Sequence, residues 1–166
     1  MIRRLVLPLI LPIVLLAALA PTVGAATTTT TLEYRILGWI NDAREDRHLK
    51  PLRADSRVWD LANDRAAIMA SRNILSHSIA GNVGSSLSSR GIKWYGWGDA
   101  IAYNNYQKGT YATAALFAQW KGSKPHWDLL MSPKFNYVGV GMAYRSSNGR
   151  TFGDVVLMDG RIVYER

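Results

Sequence analysis

Leu32, Ile36, Trp39, Ile40 and Ala43 recur every three or four positions, with Glu33, Arg35, Asp42 and Glu45 between them. That spacing predicts an amphipathic helix with one face on a core, ended before Pro51. The same period returns in Val58, Leu61, Ala62, Ala66 and Met69. Asp55 or Ser56 is the predicted N-cap of this second helix, which closes near Asn73 or Ile74. Periodicity then lapses. Gly81, Gly84, Gly91, Gly96 and Gly98, with five serines among residues 78–98, predict a long loop with one helical turn near Leu87. Residues 99–103 fit a buried strand or an irregular segment. Residues 111–120 form an alanine-rich third helix broken at Lys121 and Gly122, and 128–131 add a short turn ended by Pro133.

Towards the C-terminus the pattern becomes that of strands. Residues 137–144 and 152–158 are extended and apolar, and the Ser146-Ser147-Asn148-Gly149 stretch between them carries the Asn-Gly signal of a tight hairpin. Residues 162–164 add a last short strand. Helices first and a hairpin last predict an α+β domain with an antiparallel sheet, because parallel sheets need alternating strand and helix units. Trp39, Trp59 and Trp120 fall on helical core faces, and no internal repeat is visible.

The N-terminus changes the picture of where this domain works. Arg3 and Arg4, an apolar run over 5–20 and the small residues Val23-Gly24-Ala25-Ala26 follow the grammar of a secretory signal over residues 1–26, cleaved after Ala25 or Ala26. A retained anchor is the alternative, but a run of sixteen residues interrupted by Pro8 and Pro12 is shorter than the roughly 20 a spanning helix needs. Five threonines at 27–31 read as a flexible or extended leader, and residues 32–166 as one domain. The protein is thus expected to be secreted and extracellular, touching membrane only through its signal peptide.

The chain has no cysteine, so packing alone must hold an exported fold, and thiolate nucleophiles and thiolate metal ligands are excluded. That suits bacterial export. Formal net charge is +8, and +6 once Arg3 and Arg4 are removed (18 basic against 12 acidic residues). Outside a cell such a balance favours anionic wall polymers or lipid head groups over nucleic acid, although Arg44, Arg47, Lys50, Arg53 and Arg57 are scattered as on an ordinary solvated surface.

Candidate chemistry rests on three histidines. His48 lies in a charged stretch and reads as an exposed helix-end or loop residue. His77 and His126 each follow a helix and could converge on one pocket, which leaves them as the two candidates for chemistry near neutral pH. The structural alternative has His77 capping the second helix and His126 packed beside Trp127. Trp94, Tyr95, Trp97, Tyr103 and Tyr106 crowd the segment between them; Trp97 and Tyr103 suit gap filling, Trp94 and Tyr95 an exposed cleft wall. A serine hydrolase built on Ser123 lacks a G-x-S-x-G elbow and an oxyanion donor.

Taken in order, these segments resemble the bacterial branch of the CAP superfamily, the cysteine-rich secretory or SCP-like extracellular domains. Asn41-Asp42-Ala43-Arg44 with Leu49-Lys50-Pro51-Leu52 is similar to the family's N-x-x-R and L-x-P-L, and Ser76-His77 to its first histidine motif. Gly98-Asp99-Ala100-Ile101-Ala102 stands where the family has G-E-N-I-A, Trp120 with Ser123 and His126 where it has W-x-x-S-x-x-H, and Val138-Gly139-Val140-Gly141 where it has its G-V-G strand. The resemblance implies a three-layer α-β-α sandwich with a central antiparallel sheet and a central cleft. It also implies a divalent cation such as zinc, whose ligands here would be His77, His126 and Asp99, with Ser123 in the second acidic position and lining the cleft. Aspartate is one methylene shorter than the family's glutamate, and one carboxylate remains of two.

From this follow two functional readings. The favoured one is a secreted, monomeric binding or interaction module whose cleft takes a lipid, sterol, glycan or cell-wall ligand, with no catalytic residue. The other is a divalent-metal-assisted hydrolase acting on peptide or wall polymer, with water activated by the cation.

Overall fold

The computed structural model describes residues 24–161, with side chains from Thr31 onward. The first 23 residues of the expected signal segment and the expected strand at 162–164 lie outside the described residues. In chain order the elements are α1 (Gly24–Glu45), β1 (Arg53–Ala54), α2 (Ser56–Arg72), α3 (Val83–Ser89), β2 (Trp94–Asn104), α4 (Thr110–Gly122), α5 (Lys124–Leu130), β3 (Tyr137–Arg145) and β4 (Arg150–Gly160).

The four strands form one sheet in the order β1-β3-β4-β2. β4 is antiparallel to both neighbours, with Val155 opposite Val140 on β3 and Ala100 on β2. Along β4 successive side chains point to opposite faces. Val155 and Leu157 join α1, α4 and α5 in a cluster with Ile36, Ile40, Leu116, Trp120 and Leu130. Val156 and Met158 join α2 and α3 through Val58, Leu61, Ala62 and Leu87. The sheet is therefore covered on both sides, giving the α-β-α sandwich.

α2 has the expected ends. The Asp55 carboxylate accepts from the amides of Arg57 and Val58, and Asn73 closes the helix in the left-handed region at φ 55°. Its approach to the sheet explains the glycines of β3. A methyl group on Gly139 would lie 2.1 Å from the Val58 carbonyl oxygen, and one on Gly141 2.2 Å from the Ala62 carbonyl. Only hydrogen at those positions lets helix backbone rest on strand backbone.

Three expectations are corrected. The glycine-rich stretch is not mainly loop: α3 takes seven residues of it and β2 begins at Trp94. Its glycines make room for packing, since a Cβ on Gly84 would strike the Trp97 indole and one on Gly98 the Leu129 side chain. The sheet is not wholly antiparallel, because β1 joins β3 in parallel through two pairs, Arg53 with Tyr137 and Ala54 with Val138. Two residues carry no periodic signal. The threonines at 27–31 belong to α1 rather than to an extended leader. Threonine costs only a few tenths of a kcal/mol more than alanine in a helix, and the packed turns from Leu32 onward supply a nucleus from which it propagates.

Glu33 and Arg44, both at positions that read as polar, are buried. Glu33 accepts from the Trp59 indole at 3.1 Å and from the Met142 amide at 3.2 Å, while the Lys108 ammonium donates to the Met142 carbonyl. Burial raises the Glu33 pKa and lowers that of Lys108, each opposed by their mutual attraction. Together they occupy the backbone of β3 where β1 no longer covers it. Arg44 donates to the carbonyls of Lys50, Leu130 and Ser132, and Asn41 exchanges two hydrogen bonds with the backbone of Leu52. The N-x-x-R and L-x-P-L motifs are thus one clamp between α1 and the segment entering β1.

Candidate functional site

His77 sits on the loop after α2, on one side of the sheet, and His126 on α5, on the other. β2 is the edge strand between them. The two rings meet beside it, with centroids 6.4 Å apart and planes inclined by 40°. The expected convergence is present.

What fixes His77 is Arg65, a residue to which no sequence motif points. Its guanidinium, 1% exposed, donates to Asp154 at 2.7 Å, to Asp99 at 2.6 Å, and to the carbonyls of Gly81 and His77 at 2.9 and 3.0 Å. The His77 Nδ1 lies 3.0 Å from the same Asp99 oxygen that Arg65 holds. The His77 ring is thereby held against the Asp99 carboxylate through Nδ1, which leaves Nε2 as its other hydrogen-bonding atom. Both the backbone and the ring of His77 are tied to one buried ion cluster, although its side chain is 57% exposed. The ring does not cap α2; the left-handed Asn73 does.

One guanidinium serves two carboxylates. Burial pushes the Asp154 carboxyl up to about 7, outweighing the pull of Arg65, and the nearby Asp99 charge adds to the rise. Its second oxygen, Oδ1, is buried without a hydrogen-bond partner. His126 is shifted the opposite way: burial, then the neighbouring His77, lower its pKa against the opposing charge of Asp99. At neutral pH the ring is uncharged, with one donor and one acceptor nitrogen.

The remaining expected residues are placed unevenly. Ser123 joins α4 to α5, its amide bonded to Gln119 and Trp120 and its carbonyl to the Trp127 amide, one turn ahead of His126. Trp94 does not reach the histidines. It packs on the α2 and α3 side, its indole donating to the Ser88 hydroxyl at 3.0 Å. Tyr95 is exposed, and both lie about 13–16 Å along β2 from Asp99, at roughly 3.3 Å per residue. The extended strand carries them away from the histidines, which a folded loop would have let them approach. Trp97 and Tyr103 fill gaps against the clusters beneath α2, as expected.

The donor set does not fit a divalent cation. The one carboxylate of the proposed set is already engaged by a guanidinium, a second positive ion beside Arg65 would be repelled, and Ser123 brings no charge. Among the described residues, no three His, Asp or Glu side chains are grouped to hold a metal.

A model of the cysteine-rich secretory protein family, CAP, matches residues 37–158. The chain belongs to this family. Its CAP fold is shared with an extracellular protein containing an SCP domain from Bacillus anthracis (TM-score 0.68, 21% identity, 78% of this chain and 41% of that one). It is shared also with an outer surface protein from Borrelia burgdorferi (TM-score 0.67, 13% identity, 79% and 94%). A third likeness is a cysteine-rich secretory protein from Staphylococcus aureus (TM-score 0.62, 14% identity, 81% and 40%). The CAP domain thus spans about two-fifths of the Bacillus and Staphylococcus chains but nearly all of the Borrelia one. No curated protein sequence matches this chain. Among the described residues no helix is long and apolar enough to cross a membrane.

Proposed function

We propose that this CAP domain is an extracellular binding module whose cleft between His77 and His126 takes a ligand of the glycan, sterol or wall-component class. The reading rests on one observation: Asp99 is spent on Arg65 and His77, at 2.6 and 3.0 Å. Its Oδ2 is already held by a guanidinium and an imidazole, which makes Asp99 a poorer metal ligand and a weaker base than a free carboxylate. Beside it stand two hydrogen-bonding rings, those of His77 and His126, with centroids 6.4 Å apart. Ile74 and Leu75, 46% and 40% exposed just before His77, add apolar contact of the kind such ligands use.

The test titrates soluble peptidoglycan fragments and a water-soluble sterol sulfate into the domain while the histidine ring resonances are followed, alongside zinc analysis of the purified protein. Saturable shifts of both rings with one probe, lost in His77→Ala and His126→Ala, and less than stoichiometric zinc are the expected result. Stoichiometric zinc, with peptide or peptidoglycan hydrolysis abolished in both variants, would replace binding by metal-assisted hydrolysis.

A further inference from the structure

A second concavity lies at the opposite edge of the sheet, some three strand spacings or about 14 Å across from Asp99. It encloses about 760 Å³ between residues 48–53, which lead from α1 into β1, and residues 133–136, which lead into β3. That volume suits a small organic molecule. Leu49, Pro51, Pro133 and Phe135 form its apolar lining, and His48, Lys50, Arg53 and Lys134 its basic lining against one acid, Asp159.

The arrangement is built rather than incidental. Arg44 binds the Lys50 carbonyl of one wall at 2.9 Å and the Ser132 carbonyl behind the other at 3.0 Å. This guanidinium is buried and has carbonyl partners but no carboxylate, so its charge stays unneutralised behind the pocket. The Arg53 amide donates to the Asn136 carbonyl at 3.0 Å, joining the walls again. The Arg53 guanidinium lies 4.6 Å over the Tyr137 ring and donates to its hydroxyl at 2.8 Å, which orders its fork of donors in advance. Among the described residues, Lys50 and Lys134 form no ion pair.

We infer that this pocket binds a phosphate ester: an anionic head held by Arg53, Lys50 and Lys134, with the organic part on the proline and phenylalanine lining. An arginine fork flanked by lysines is matched to a tetrahedral oxyanion of more than one negative charge. The apolar lining selects an ester over inorganic phosphate. The site is separate from the histidine cleft and does not depend on what that cleft binds.

The experiment uses calorimetric titration with sn-glycerol 3-phosphate, with glycerol as the uncharged control, and co-sedimentation with phosphatidylglycerol against phosphatidylcholine vesicles. Saturable binding of glycerol 3-phosphate, at least tenfold weaker in the Lys50→Gln, Lys134→Gln double variant and unchanged in His77→Ala, is expected. Selective sedimentation with phosphatidylglycerol, lost in the same double variant, would support the site with a lipid as its source. Arg53→Lys keeps the charge and removes the fork, and should weaken binding severalfold. Absence of binding to both probes, or binding that survives the double variant, overturns the inference.

Discussion

Arg65 carries one positive charge between Asp99 and Asp154, and the shortage is borne by Asp154, whose pKa rises from 3.8 to about 7. Between those values the unfolded chain has lost a proton that the native protein keeps, so this group makes stability fall as pH rises from about 4 to 7. His126 acts in the reverse sense: its native pKa lies below 6.5, so the unfolded chain takes up its proton first and stability falls on acidification below that value. Asp154→Asn keeps the shape and removes only the first effect. Urea unfolding at pH 5 and pH 7 should show a smaller decline with rising pH in this variant than in the parent, whereas parallel declines would assign Asp154 an ordinary carboxylate. This cluster was half legible. Asp99 and His77 stand in recognisable motifs, but Arg65 and Asp154 are seen only as polar interruptions. Arg65 falls on the apolar stripe of α2, one turn from Leu61 and Ala62, and Asp154 inside the apolar run of β4. A charge on a face destined for burial is a signal of pairing, and weighing it would have joined the two.

Among the elements, α2 shows how closely local signals and packing agree. Its N-cap, its length and its left-handed close were readable from residues 55–74, because each depends on neighbours in sequence. Its contact with β3 was not, since it depends on glycines some eighty positions away. Gly141→Ala places a methyl 2.2 Å from the Ala62 backbone, where a helix cannot give way as a flexible side chain can. Such overpacking costs about 1–3 kcal/mol, and here the upper end or beyond is expected as a lowered urea midpoint with an unchanged slope. Gly38→Ala, which meets no atom within 4 Å, is the control expected to be neutral or slightly stabilising. The start of β2 was hidden for a related reason: Gly98 looks like punctuation in one dimension and is a clearance for the Leu129 side chain in three.

At the scale of the molecule, the expected export, a cysteine-free sequence and a basic net charge form one consistent picture. The CAP fold holds by two covered sheet faces, the Arg44 clamp and the buried Arg65 cluster, so no disulfide is required of it. The expected cleavage after Ala25 or Ala26 would remove only the first residues of α1 and leave every turn from Leu32 onward. Mass spectrometry of the exported protein should find Ala26 or Thr27 at its start; an uncleaved N-terminus would indicate an anchored form. Beyond the two residues of β1, the flank of β3 would invite another polypeptide to add itself, but at Met142 both hydrogen-bonding groups are engaged, the amide by Glu33 and the carbonyl by Lys108. An incoming strand finds its template interrupted midway, so even at high local concentration fibrillar growth through this flank is opposed.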